Sequence, residues 1–136
     1  MRRELLAITT IIAAVATVGS LYFSEVMGLI PCELCWYQRI LMYPLVVMLG
    51  VAAYENYVTV WKMGLPLSVL GTLVATQHTL LQVGLLPESA DTCGVGCAGV
   101  DWQFSVLTIP RLSLIAFALI TGGLLAVAYA ESRQAR

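Results

Sequence analysis

The sequence predicts an all-α integral membrane protein, an up-down bundle of four transmembrane helices with two extracytoplasmic loops that carry cysteines. Three observations predict it. Of the 136 residues, 60% are hydrophobic and only 11% charged, and the mean hydropathy is +0.87, outside the range of soluble domains. Four apolar stretches, about 5–23, 36–54, 65–86 and 112–129, each approach the ~20 residues that cross a ~30 Å hydrocarbon core. The connections are short, so sequence neighbours run antiparallel. A net charge of −1 presents no basic surface for nucleic acid, and no biased tract marks a linker. One domain, residues 1–136, is expected.

The first span follows Arg2 and Arg3 and contains Ala14-Val15-Ala16, a pattern shared with cleavable signal peptides. Its apolar character continues through Val18, Leu21, Tyr22 and Phe23, the length of a full crossing, so it is read as a helix that stays. The first outer loop, about 24–35, ends in Pro31-Cys32, which suits a helix start and places Cys35 near the first turn of the second span. Pro44 lies inside that span, where it kinks the helix or releases a carbonyl to a neighbour. The connection from Glu55 to Gly64 carries Lys62 and no evident chemistry. The second outer loop, about 87–111, holds Cys93-Gly-Val-Gly-Cys97. After it, Trp102, Phe104, Val106, Leu107 and Ile109 form a segment expected to lie on the bilayer surface.

Charge sets the orientation. Arg2, Arg3, Lys62, Arg133 and Arg136 fall on one side of the four spans, and only Arg39 and Arg111 on the other, which predicts that both termini are cytoplasmic. Cys32, Cys35, Cys93 and Cys97 then all face the oxidising side, where disulfides persist.

Cys32-x-x-Cys35 is a redox signature in this setting, because adjacent thiols exchange with a disulfide and a helix N-terminus favours the thiolate. Arg39 follows Cys35 by one helical turn, on the same face. At about 1.5 Å per residue, Arg39 lies roughly 6 Å below the start of the second helix and His78 roughly 7 Å below the outer end of the third. Gln82 shares the face of His78. Arg39, His78, Gln82 and the Cys35 sulfur thus outline a site for a flat, lipid-soluble molecule with polar edges. A quinone, ubiquinone or menaquinone, fits, since it accepts the two electrons and two protons that a dithiol releases. Each residue also has a plainer reading: His78 as a helix–helix contact, Arg39 as a snorkelling charge, and the cysteines as loop staples. Both cysteine pairs, if joined locally, close loops too small to stabilise much. Four cysteines also allow a zinc site, but the long separation between the pairs does not match zinc-ribbon spacing, so no metal is expected. A scaffold with structural disulfides and a small transporter built on Arg39 and His78 remain as rivals from other classes.

The stretch Pro31-Cys32-Glu-Leu-Cys35-Trp-Tyr-Gln-Arg39-Ile-Leu-Met-Tyr-Pro44, with His78-x3-Gln82 and the second cysteine pair, resembles the DsbB/BdbC family of disulfide bond formation proteins. The resemblance extends over essentially the whole chain. It implies a bacterial cytoplasmic-membrane thiol-disulfide oxidoreductase in which Cys32 and Cys35 exchange electrons with quinone, with Cys35 nearest the ring and Arg39 assisting. It also implies that Cys93 and Cys97 meet a thioredoxin-fold thiol oxidase of the DsbA/BdbD type. The three-residue spacing of the second pair resembles the short BdbC-like branch. Vitamin K epoxide reductase-like proteins are a sister possibility, but they carry the quinone-side pair late in the chain, whereas here it precedes the second span. In spheroplasts treated with reductant, a membrane-impermeant maleimide should label the cysteines from outside without lysis; labelling only after lysis would reverse the orientation.

Overall fold

The computed structural model describes residues 2–26, 33–83, 103–104 and 107–136. Helix α1 (Arg2–Leu21) continues into a π-helical turn, Tyr22–Val26. Helix α2 spans Glu33–Glu55, and a 3₁₀ turn, Val58–Val60, leads into α3 (Trp61–Val83). Helix α4 spans Ile109–Gln134. Just before it, strand β1 (Gln103–Phe104) pairs antiparallel with β2 (Leu107–Thr108), Phe104 opposite Leu107. This small ribbon lies in the segment expected on the bilayer surface, and is the one departure from helix among the described elements. All four helices are long and apolar enough to cross a membrane.

Helix α3 begins at Trp61, four residues before the expected span, because Pro66 falls in its second turn and deprives only the Lys62 carbonyl of an intrahelical partner. Helix α2 likewise continues through Pro44. The turn between them closes with Asn56 in the left-handed region (φ 59°) and the Tyr57 N–H donating to the Ala52 carbonyl at 2.9 Å. That is a Schellman cap, and asparagine is the side chain that tolerates it best after glycine.

The helices pack in a ring, α1 on α2, α2 on α3, α3 on α4 and α4 back on α1. Their inward stripes repeat every three to four residues: Leu6, Thr9 and Ala13; Gln38, Met42, Leu45, Leu49 and Ala52; Ser68, Gly71, Ala75 and His78; Phe117, Ile120, Leu124 and Val127, all buried. This is the spacing of a left-handed bundle. The outward faces are equally apolar, with Ile8, Ile11, Val15, Val47, Leu73, Leu119 and Leu125 all exposed. In water such a surface would aggregate; in lipid it needs no cover.

Hydrocarbon drives no helix together, so close packing and internal hydrogen bonds must. Gly71 admits the ring of Phe117, and a Cβ at Gly71 would fall within that ring. Gly123 lets α4 approach Thr9 of α1 in the same way. Thr9, Thr10, Thr17, Thr72, Thr76, Thr79 and Thr121 each donate their hydroxyl to the carbonyl four residues back, at 2.7–2.9 Å. Thr121 also lies 3.0 Å from Ser68 Oγ, tying α4 to α3. Gly71→Ala should therefore destabilise the bundle by about 1–3 kcal/mol through overpacking. In a double-mutant cycle, Phe117→Leu should relieve part of that loss; strict additivity in detergent unfolding would show that the two do not touch.

Candidate thiol-side site

Cys35 is the third residue of α2 and is half-buried. Its position extends the inward stripe of α2, three residues before Gln38, because 35, 38, 42 and 45 repeat the three-four spacing. Gln38 and His78 are buried, 5% and 2% exposed, and the Gln38 amide nitrogen lies 3.3 Å from His78 Nδ1. The bond crosses from α2 to α3. An amide nitrogen only donates, so Nδ1 accepts in this pairing; turning the amide over would reverse both roles.

Arg39, the next residue, points its hydrogen bonds towards α1. Its Nε donates to Ser20 Oγ at 3.0 Å, and Nη2 donates to the Ser20 carbonyl at 3.0 Å and to Ser24 Oγ. The guanidinium also stands 5.4 Å from the ring centre of Trp36, itself exposed. Ser20 and Ser24 bracket the junction of α1 with its π-helical turn, a local irregularity of the sort that gathers at functional sites. The planar fork of arginine satisfies three acceptors at once and fixes the C-terminal end of α1 against α2.

Of the residues expected to form the site, the structure thus places Cys35, Arg39 and His78 at one end of the bundle. His78 meets Gln38, the neighbour of Arg39, across the α2–α3 interface. Gln82 lies one turn beyond His78 in the last turn of α3, but its side chain is outside the described part of the structure, as are Cys32, Cys93 and Cys97. Three contributors were not singled out from the sequence. Gln38 is a buried polar residue inside the cysteine motif, and its offset of three from Cys35 is the available signal. Ser20 and Ser24 are four residues apart at the end of an apolar run, a spacing that marks one helical face.

A half-buried thiol on the first turn of a helix, on the inward stripe of an apolar bundle and one turn from a buried hydrogen-bonded pair, is an arrangement suited to thiol redox chemistry at a membrane. The family model for disulfide bond formation protein DsbB matches residues 2–127. The chain belongs to the DsbB family. It is 47% identical over 114 residues to disulfide bond formation protein C of Bacillus subtilis, covering 81% of this chain and 82% of that one. A probable disulfide formation protein of Metapseudomonas resinovorans is 43% identical over 124 residues, 88% of this chain and 86% of its own. One from Deinococcus radiodurans is 43% identical over 122 residues, 81% and 79% of the two chains. No solved structure matches the chain significantly. As a DsbB-family member it is a multi-pass bacterial membrane protein and a thiol-disulfide oxidoreductase, and the match to protein C agrees with the short-branch resemblance.

The three hydrogen bonds of Arg39 make a direct prediction. Arg39→Lys keeps the charge but loses the fork, and should lower stability in detergent by about 1–3 kcal/mol, more than Ser24→Ala alone. Equal stability of Arg39→Lys and the parent would show that the fork does not hold α1 to α2.

Proposed function

We propose that this protein reoxidises an extracytoplasmic thioredoxin-fold thiol oxidase of the DsbA/BdbD type and delivers the electrons to a membrane quinone. The observation that carries this reading is the buried Gln38–His78 pair, set one turn from the half-buried Cys35 and beside Arg39, inside an otherwise apolar wall. Buried polar groups at membrane depth mark functional sites. The donor set also fits a quinone: an imidazole and an amide offer hydrogen bonds to carbonyl oxygens, a guanidinium adds positive charge, and the outward faces of the helices leave the ring's lipid tail in lipid. A bound quinone would supply the acceptor for two electrons and two protons.

The chain's own residues do the rest. A thiolate of the reduced partner attacks the Cys93–Cys97 disulfide, and the partner's second thiol resolves the mixed disulfide. The partner leaves oxidised and the loop is left as a dithiol. That dithiol reduces Cys32–Cys35 by a second exchange, so the electron pair and its two protons arrive at the head of α2. Cys35, on the first turn, is favoured as thiolate by the helix N-terminus and by the Arg39 charge one turn below. His78 and, one turn further along α3, Gln82 are the donors offered to the acceptor's oxygens, while Arg39, held on the α1 side by Ser20 and Ser24, supplies positive charge near Cys35. Release of two electrons closes the Cys32–Cys35 disulfide again. In the membrane, the basic end of the bundle lies in the cytoplasm and the thiol end outside, as the distribution of arginine and lysine favours.

Energetics require an acceptor of this kind. DsbA itself has a reduction potential of about −120 mV, so reoxidation against a glutathione pool at about −180 to −210 mV would be uphill by roughly 3 to 4 kcal/mol. The test is electron transfer from a reduced DsbA-like protein to added ubiquinone or menaquinone by the purified protein. Cys35→Ser and Cys93→Ser should each abolish turnover while leaving the bundle folded. Turnover that survives either substitution, or none in the parent with either quinone, would refute the relay.

A further inference from the structure

We infer that Ser20 and Ser24, at the C-terminal end of α1, are positioning residues: they hold the Arg39 guanidinium in one place, with its charge uncancelled, so that its field acts on the Cys35 sulfur. The inference rests on the reading of Cys35 as a working thiol. Three observations carry it. Arg39 Nε donates to Ser20 Oγ and Nη2 to the Ser20 carbonyl, each at 3.0 Å, and Nη2 also donates to Ser24 Oγ. All three acceptors are neutral, as is the Trp36 ring beside the guanidinium. Arg39 follows Cys35 by four residues on α2, an axial rise of about 6 Å.

The backbone explains how α1 offers these acceptors. Ser20 is the last residue but one of α1, and Ser24 lies inside the π-helical turn Tyr22–Val26. Donors in such a turn reach back five residues instead of four, so the ladder slips at the junction and leaves a carbonyl open to a side-chain donor. Serine matters here because a carboxylate would bind arginine more tightly but would cancel its charge. Unheld, an arginine on a membrane helix extends its head to the interface, where water and salt screen it. Held on two half-buried serines, the same charge is screened less and stays within a turn of the sulfur. An anion at or approaching Cys35 is then favoured.

The charge at the sulfur can be read chemically. In the full-length chain with Cys35 as sole cysteine (Cys32→Ser, Cys93→Ser, Cys97→Ser), held in detergent micelles at low salt and one pH, alkylation is timed with iodoacetate and with iodoacetamide. The neutral reagent measures thiolate supply and access, so the ratio of the two rates reports local charge. Among the described residues, the other ionisable groups at this end are Tyr22 and Glu25 of the π-helical turn, Glu33 and Tyr37 of α2, His78 of α3 and Arg111 of α4. The variants share them, so their contribution drops out of the comparison.

Ser20→Ala with Ser24→Ala should lower the iodoacetate-to-iodoacetamide ratio about three- to fivefold, the order expected of one unit charge within a helical turn. Arg39→Gln should lower it equally, and adding both serine substitutions to Arg39→Gln should lower it no further. Ser24→Thr should keep the parent ratio, whereas Ser24→Asp, which retains an acceptor but cancels the charge, should lose it. That last contrast serves if the double alanine variant does not fold. An unchanged ratio in the double variant, a further fall in the Arg39→Gln background, or equal ratios for Ser24→Thr and Ser24→Asp would overturn the inference. If turnover survives Cys35→Ser, the reading of Cys35 as the working thiol fails, while the ratio still decides whether the serines place a charge at that sulfur.

Discussion

Inside a bilayer no solvent repairs a missing hydrogen bond, and the architecture of this protein follows from how its few polar groups meet that demand. The threonines meet it locally, each hydroxyl turning back to a carbonyl of its own helix. Gln38 and His78 instead meet each other across α2 and α3. Such an interhelical bond in a membrane is worth only about 0.6–2 kcal/mol, but breaking it strands two buried groups. It therefore sets register more than it sets stability: once Gln38 is opposite His78, Cys35 is fixed one turn nearer the end of the bundle. Arg39 does the same for α1, through Ser20 and Ser24.

The two ends of the bundle are consequently different in kind. At one end Trp61 donates to Glu131, Lys62 stands 5.7 Å from the ring centre of Trp61, and Arg133 stands 5.4 Å from that of Tyr129. Those contacts anchor helix ends among aromatic rings of the type found at membrane interfaces, and they involve no thiol. At the other end Gln38 and His78 are buried and meet each other, and with the half-buried Arg39 they lie within about a turn of Cys35. Small residues along the middle, Gly71 and Gly123 above all, hold the helices close enough for both ends to keep their geometry.

How much of this the sequence discloses depends on what lipid does to pattern. Span number and the membrane setting are legible from length and hydropathy, because the hydrocarbon thickness imposes both. The inward stripes are not, because the faces towards lipid are as apolar as the core and the amphipathic period disappears. Gln38 stayed hidden for that reason: with no stripe to place it, it stands in the sequence merely as the neighbour of Arg39. Ser20 and Ser24 look like ordinary polar residues at a helix end until the reach of Arg39 is known. The early start of α3 is obscured by Pro66, which ordinarily argues for a later one. A ribbon of two-residue strands is too short to leave any alternation to read. Cys35, Arg39 and His78 were legible because reactive or charged side chains in an apolar run need a reason to be there.

The central claim is that the electron acceptor sits between α2 and α3 at the thiol end. Photolabelling with an azido-quinone in proteoliposomes, followed by peptide mapping, tests it without relying on turnover. The account predicts label concentrated in the segments around 35–39 and 78–82, with competition by excess unmodified quinone. Label concentrated near the α2–α3 turn around Asn56, or spread over lipid-facing positions without competition, would contradict it.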